Sequence, residues 1–365
     1  MTGFFYIKFL LTNLAFSLIL GITLLRFNKK RVYSNLEIAM VSLGLGPIFT
    51  ALILYYAFII FPRQRYFFYI AAVTAIYMVL AVFPVWRFFA SGGQGTLLKK
   101  GSPDLPKTFV KGNGSRTGKL AGTIVLIAFV GAFLYIYLGR TLKTPLEQHD
   151  ALVYGNLGKL YAQKREIPYT KFTFPQPNGF VFHGSHKPSF SLLLTWEIML
   201  NPREYKQKNG FDLYFRSITG YYGLMILVLL FMILPPGKRI LAPLGVIVLF
   251  SGLQFLSMIL NYHLDSYRIF FLLLSWIWLA YAIKNKDNLA LFLLGAFSGF
   301  AAFTHLIGLA AALLNLAAYF LFAEIPLKPR LVKTAILTLL ILVFGGFQYI
   351  MEILLGSISG FMTYL

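Results

Sequence analysis

The chain has 365 residues, 58% hydrophobic and 12% charged, with a formal net charge of +21 and a mean hydropathy of +0.72. No ordinary soluble domain has this composition, and several apolar windows exceed ~18 residues, which excludes one greasy soluble core. Cysteine is absent, so disulfides and thiolate metal sites are excluded and the compartment stays undecided.

The positive charge does not point to nucleic acid. Lys and Arg fall mainly in short loops between apolar stretches. That is the positive-inside pattern, and anionic lipid head groups are the expected partners. The 37 Phe and 22 Tyr suit lipid-facing surfaces and interfacial belts.

In chain order, spans are expected at 9–27, 36–61, 66–90, 120–139, 213–234, 240–260, 268–283, 289–304, 306–325 and 334–355. The first is too long for a signal-peptide core and lacks a small-residue cleavage site, so it reads as a retained span. The expected fold class is an all-α polytopic membrane protein of about ten transmembrane helices. Between the third and fourth spans, 91–119 carries "LKKGSPDLPKTFVKGNGSRTGK", a basic Gly/Pro/Ser linker expected in the cytoplasm. Counting from it puts "FNKKR", "PPGKR", "KNKDN" and "LKPRLVK" on the same side. Both termini, 140–212 and "NYHLDSYR" then lie opposite. Two parts follow: 1–119, three spans plus the linker, and 120–365, a transmembrane module with 140–212 as its outer loop.

Within that loop, Val153, Tyr154, Leu157, Leu160 and Tyr161 recur at helical spacing, which predicts an amphipathic helix on the membrane surface. Asp150 opens it, with Glu147 three residues earlier; an N-cap is the plain reading of Asp150. The loop's far end, "FHGSHKPSF", gathers His183, His186 and Lys187 ahead of Pro188. A compact ammonium such as Lys187 suits a phosphate at the lipid surface, and a snorkelling lysine is the plain alternative. "SFSLLLTWEIML" is too short to span and predicts an interfacial or re-entrant helix. Further on, "NYHLDSYRIFF" sets His263, Asp265 and Arg268 at the edge of a span. Such charges are costly there and mark either function or an Asp265–Arg268 pair one turn apart. Arg216 stands at the outer start of the fifth span. "GAFSG" (Gly295 to Gly299) is a small-xxx-small pattern for close helix packing. "FTHLIG" marks a hairpin or a broken helix, and His305 there reads as a hydrogen-bonded packing histidine.

Taken in order, these residues resemble the GT-C superfamily of polytopic glycosyltransferases, above all the protein O-mannosyltransferases and the lipid A aminoarabinose transferases. The family pattern Asp-x-x-x-Tyr-x-x-x-(Ala/Gly) is matched by Asp150, Tyr154 and Gly158, and its Lys-Pro element by Lys187 and Pro188. His186 stands where many relatives carry Glu. Arg216 matches an Arg that opens the next span, Asp265 an Asp at a later span edge, and "GAFSGFAAFTH" a Gly-x-x-x-Gly span with a polar end. The likeness covers about 120–355, and three spans precede it.

The resemblance implies inverting transfer of a sugar from a polyprenyl-phosphate donor to an extracytoplasmic hydroxyl or amine, at the cell (inner) membrane. Lys187, Arg268 and Arg216 would neutralise the departing lipid phosphate. Asp150 would be the base on the acceptor. Glu147, His186, His263 and Asp265 would support the site. With Asp150, the first three can instead gather around a divalent metal, and their O and N donors admit zinc or manganese without selecting either. Two other classes compete: a transporter or flippase for a lipid-linked sugar, and a non-catalytic membrane relative. A transporter would place charge near the bilayer midplane and often shows inverted repeats. Here the charge gathers at one face and no repeat is visible.

Overall fold

A computed structural model describes residues 17–26, 35–90, 149–167, 187–201, 220–230, 264–285 and 287–354, with parts of 120–135. The linker 91–119 and the expected span 240–260 lie outside the described residues. The spans expected at 9–27, 120–139 and 213–234 are described only in part.

Among the described residues every regular element is helical. The principal helices are α1 (Asn35–Ile60), α2 (Tyr66–Ala90), α3 (His149–Lys164), α4 (Ser189–Leu200), α5 (Asp265–Asn285), α6 (Asn288–Thr304), α7 (Leu306–Phe322), α8 (Leu327–Ile341) and α9 (Phe347–Leu354). Three stretches are long and apolar enough to cross a bilayer: Glu37–Ile60, Asp265–Lys284 and Leu327–Leu354, the last running through α8 and α9. At 1.5 Å per residue they reach about 30 Å or more, the thickness of the hydrocarbon core. The remaining apolar helices are shorter, so the described residues hold three such spans. The outer faces agree with a membrane setting. Leu314, Leu321 and Phe322 of α7 and Val332 and Leu339 of α8 are all more than half exposed. A contiguous apolar surface of this kind needs lipid against it.

Contacts divide the chain into two compact units. Unit 1 comprises Met1–Leu43, Tyr77–Ala151 and Gln207–Phe270; unit 2 comprises Gly44–Ile76, Leu152–Lys206 and Phe271–Leu365. In unit 1, a Cβ on Gly21 would sit 1.6 Å from Ser42 Oγ, so only glycine lets these two helical segments touch. Tyr222 stacks edge-on against Tyr267, with ring centres 4.8 Å apart.

Unit 2 is built around α6, which is buried along almost its whole length. Its ends are fixed locally. Asp287 Oδ1 accepts from Leu289 N at 3.1 Å as an N-cap. His305 ends α6, and its Nδ1 accepts from Ile307 N at 3.1 Å to cap α7. The expected packing histidine is therefore a capping one. The ambiguous pair 289–304 and 306–325 resolves into a tight helical hairpin, in which a Cβ on Gly308 would fall 1.8 Å from Ala301 O. "GAFSG" meets its expectation. A Cβ on Gly295 would lie 2.5 Å from Leu340 Cβ, and one on Gly299 would lie 2.7 Å from Ile341 O, so both glycines let α8 approach. Asn315 of α7 donates to Ser275 Oγ (3.0 Å, α5) and Ser298 Oγ (2.9 Å, α6), a buried polar tie across three helices.

Three expectations change here. "LKPRLVK" is the start of α8, not a loop before it. Pro329 fits because a first-turn N–H has no helical partner anyway, and Arg330 ties this end back by donating to Ile325 O at 2.8 Å. The helix after Asp150 does not lie on a lipid surface with its apolar face. Val153, Tyr154, Leu157 and Tyr161 are buried, and α4 packs against that stripe. Ser191 Oγ donates to Tyr154 O and Thr195 Oγ1 to Gly158 O, each at 3.0 Å. Gly158 permits the approach, since a Cβ there would meet Leu194 Cβ at 2.8 Å. Of the two readings of "SFSLLLTWEIML", interfacial or re-entrant, the interfacial one falls: α4 is buried on every side from Ser189 to Met199. Its serines and threonine are what a helix needs to bond inward when protein surrounds it.

Neighbouring contacts give unit 2 two distinct ends. One end gathers the α1–α2 turn, the end of α3, the α6–α7 turn and α9. Arg63 Nε donates to Glu166 Oε2 at 2.6 Å, Arg63 N donates to Arg165 O at 2.8 Å, and the Tyr349 hydroxyl donates to Ala302 O at 2.8 Å. Arg63 (φ 62°) and Arg165 (φ 58°) both adopt left-handed backbone, and these cross-links hold them there. The opposite end carries the α5–α6 and α7–α8 turns with Lys284, Lys328 and Lys333. Cysteines placed at 63 and 166 in this cysteine-free chain are expected to react with an impermeant thiol reagent from the same side of the membrane, and one at 328 from the other. Labelling of 63 and 328 from one side in sealed vesicles would contradict the arrangement.

Candidate active site

Lys187 lies immediately before α4, where Pro188 sets a helical turn (φ −75°). It is 5% exposed, deeper than a lysine at a polar edge. Its Nζ donates to both oxygens of Glu352, at 2.8 Å to Oε1 and 2.6 Å to Oε2. The ammonium also sits 4.3 Å from the centre of the Tyr349 ring, a cation–π geometry. Gln348 Nε2 donates to Glu352 Oε1 at 2.7 Å. Burial pulls the Lys187 ammonium below the usual lysine range, and the Glu352 carboxylate opposes that shift. Tyr161 and Tyr154 line the same region, and burial among neighbouring acidic groups pushes the Tyr161 phenol well up, so it stays neutral.

The residues opposite Lys187 come from a break in the last span. Leu342–Gly346 forms a π-helical turn between α8 and α9, and Gly345 takes φ +152° within it. A Cβ there would fall 2.4 Å from Gly299 O and 2.4 Å from Phe303 Cβ. π-Turns inside helices recur at functional sites. This one redirects α9 so that Gln348, Tyr349 and Glu352, spaced within one turn, converge on Lys187.

Asp265 and Arg268 lie in unit 1, at the start of α5. Arg268 Nη1 donates to Asp265 Oδ1 at 2.8 Å, the one-turn pair. Both side chains keep part of their surface exposed. Asp150 lies in the first turn of α3, and its side chain is outside the described residues. Glu147, His186, Arg216 and His263 also lie outside them. Among the described residues no three His, Asp or Glu side chains are grouped to hold a metal.

Glu352, Gln348 and Tyr349 were not anticipated. The signal was present: Glu352 is the one acidic residue in the span Leu327–Leu354, far along it from the Lys328, Arg330 and Lys333 that open it, and a carboxylate there is expensive and calls for a partner. A separate feature lies at the same end of unit 2, an open groove lined by Arg65, Tyr66, Phe67, Gln163 and Arg165. Its cations stand beside exposed Phe67 and Phe61, the pairing of charge and aromatic surface found at a lipid head-group layer. Chemically, the Lys187 cluster offers a fixed ammonium and an amide N–H in a water-poor setting, already neutralised by one carboxylate. Comparison with family models, curated proteins and solved structures finds no match for the chain.

Proposed function

We propose that the protein is a GT-C-type membrane glycosyltransferase that moves a sugar from a polyprenyl-phosphate donor to an extracytoplasmic acceptor with inversion. The observation that carries this reading is the buried Lys187 ammonium, held by Glu352 and Tyr349 at one end of a helical unit. A lipid phosphate leaves as an anion, and a preorganised cation in low dielectric stabilises that charge most. By the resemblance alone, Arg268 and Arg216 would act on the donor phosphate, Asp150 on the acceptor proton, and Glu147, His186, His263 and Asp265 in support. The site would face outward from the inner membrane, with the arginine groove engaging anionic lipid.

A flippase reading draws on one specific feature, the last span broken at Gly345 beside a buried charge pair. Mass spectrometry of co-purified lipid separates the two in part, since a transferase should retain a polyprenyl phosphate. The decisive test is Asp150→Asn. It is expected to retain that lipid while transfer falls at least about a hundredfold, the usual scale for losing a general base. Normal transfer by Asp150→Asn would remove the assignment and leave Asp150 as part of a helix start.

A further inference from the structure

We propose that Glu352 is a built-in occupant of an anion site made by Lys187 and the Gln348 amide, and that a lipid phosphate enters by displacing it. This rests on the reading of Lys187 as the phosphate ligand.

Three contacts converge on one carboxylate: two from Lys187 Nζ and one from Gln348 Nε2. The same set, an ammonium and an amide N–H, suits two oxygens of a phosphate. Glu352 and a phosphate cannot both hold this ammonium at close range, because two anions in low dielectric repel strongly. One must leave. Glu352 is the group built to do so. Its side chain keeps 20% of its exposure against 6% for Lys187, so it can swing toward solvent by a rotamer change while α9, tied to Ala302 O through the Tyr349 hydroxyl, stays in place.

Two observations describe the ligand. Gln348 is 1% exposed, and its Oε1 accepts no hydrogen bond among the described residues. A protonated phosphate oxygen or a sugar hydroxyl would satisfy it. Next to Glu352 on α9, Ile353 and Leu354 are 61% and 72% exposed. That apolar edge offers a path for a hydrocarbon tail, so the source is a lipid rather than free phosphate. Facing Glu352 are Lys187 before α4, Tyr161 of α3, and Gln348 and Tyr349 of α9 itself, with Lys187 the cation among these four.

The test uses the purified full-length chain and farnesyl phosphate, with binding read by calorimetry. E352Q keeps the shape of the side chain and removes its charge. It is expected to bind farnesyl phosphate about tenfold tighter than wild type or more, since the competing charge is gone. The doubly neutral K187M/E352Q is expected to lose that binding. Farnesol and inorganic phosphate, the two halves of the probe, are each expected to bind far more weakly to E352Q. Equal or weaker binding by E352Q than wild type, with loss in the double variant, would overturn the displacement while leaving Lys187 as the phosphate ligand. Equal binding by E352Q and the double variant would overturn the role of Lys187 and the displacement with it. Inorganic phosphate binding E352Q as tightly as farnesyl phosphate would overturn the lipid source. Should E352Q fail to fold, E352D takes its place, because its shorter arm cannot keep both contacts. It is expected to tighten binding severalfold, and unchanged binding there would likewise overturn the displacement.

Discussion

Gly345→Ala is expected to lower the stability of the purified protein by about 2–6 kcal/mol, combining roughly 1–3 for forcing a side chain into left-handed backbone with roughly 1–3 for overpacking. The residue has φ +152°, and an added Cβ would fall 2.4 Å from Gly299 O. That oxygen belongs to α6, and Gly299 is itself pinned by Ile341 O and Phe344. The obstacle is backbone on a helix that has no room to retreat. Relief therefore requires α9 to move or the π-turn to straighten, and either movement takes Glu352 away from Lys187. Gly346→Ala is the internal control. Its nearest neighbour would be Ile341 O at 3.1 Å, a contact that a shift of a few tenths of an ångström relieves. Thermal unfolding should separate the two variants clearly. Equal melting temperatures for both would mean that the break in the last span is not held as described.

Much of the helical layout was legible because membrane burial leaves a simple mark. Apolar runs near the right length gave α1, α2, α5, α6 and α7 within a few residues. The Gly295–Gly299 pair announced close packing because glycine has few other uses inside a span. Less legible was whatever depended on a partner distant in sequence. The stripe on α3 could have faced lipid or protein, since both are apolar; the hydroxyls of Ser191 and Thr195 on α4 decide for protein. "LKPRLVK" looked like a loop because proline and cations suggest one, yet both suit a helix's first turn. The candidate site shows the same limit. Asp265–Arg268, three residues apart, was readable as a local pair, and the hydrogen bond is there. Lys187 and Glu352 are 165 residues apart, and no periodicity links them. Gly345 and Gly346 inside a span were the one local hint that the helix bends.

Lys187→Ala is expected to destabilise the protein by about 2–4 kcal/mol, somewhat below the range for breaking a fully buried pair, because the Glu352 side chain keeps 20% of its exposure. A snorkelling lysine would cost almost nothing to remove, since water and head groups would replace its contacts. Here removal leaves a carboxylate facing Tyr349 and Tyr161 with its ammonium gone. The K187M/E352Q double variant should recover most of the loss, as neutral pairs of similar volume often match buried ion pairs in stability. The single variant E352Q should be destabilised too, by stranding the ammonium. A double-mutant cycle on thermal or denaturant unfolding then isolates the coupling. A coupling near zero would show that the two charges ignore each other and that Lys187 reaches solvent. A large one fixes the energetic problem any ligand must solve: an incoming phosphate binds Lys187 only by replacing what Glu352 already supplies. Farnesyl phosphate should accordingly raise the melting temperature of E352Q more than that of wild type, because only in the variant does the ammonium lack an anion.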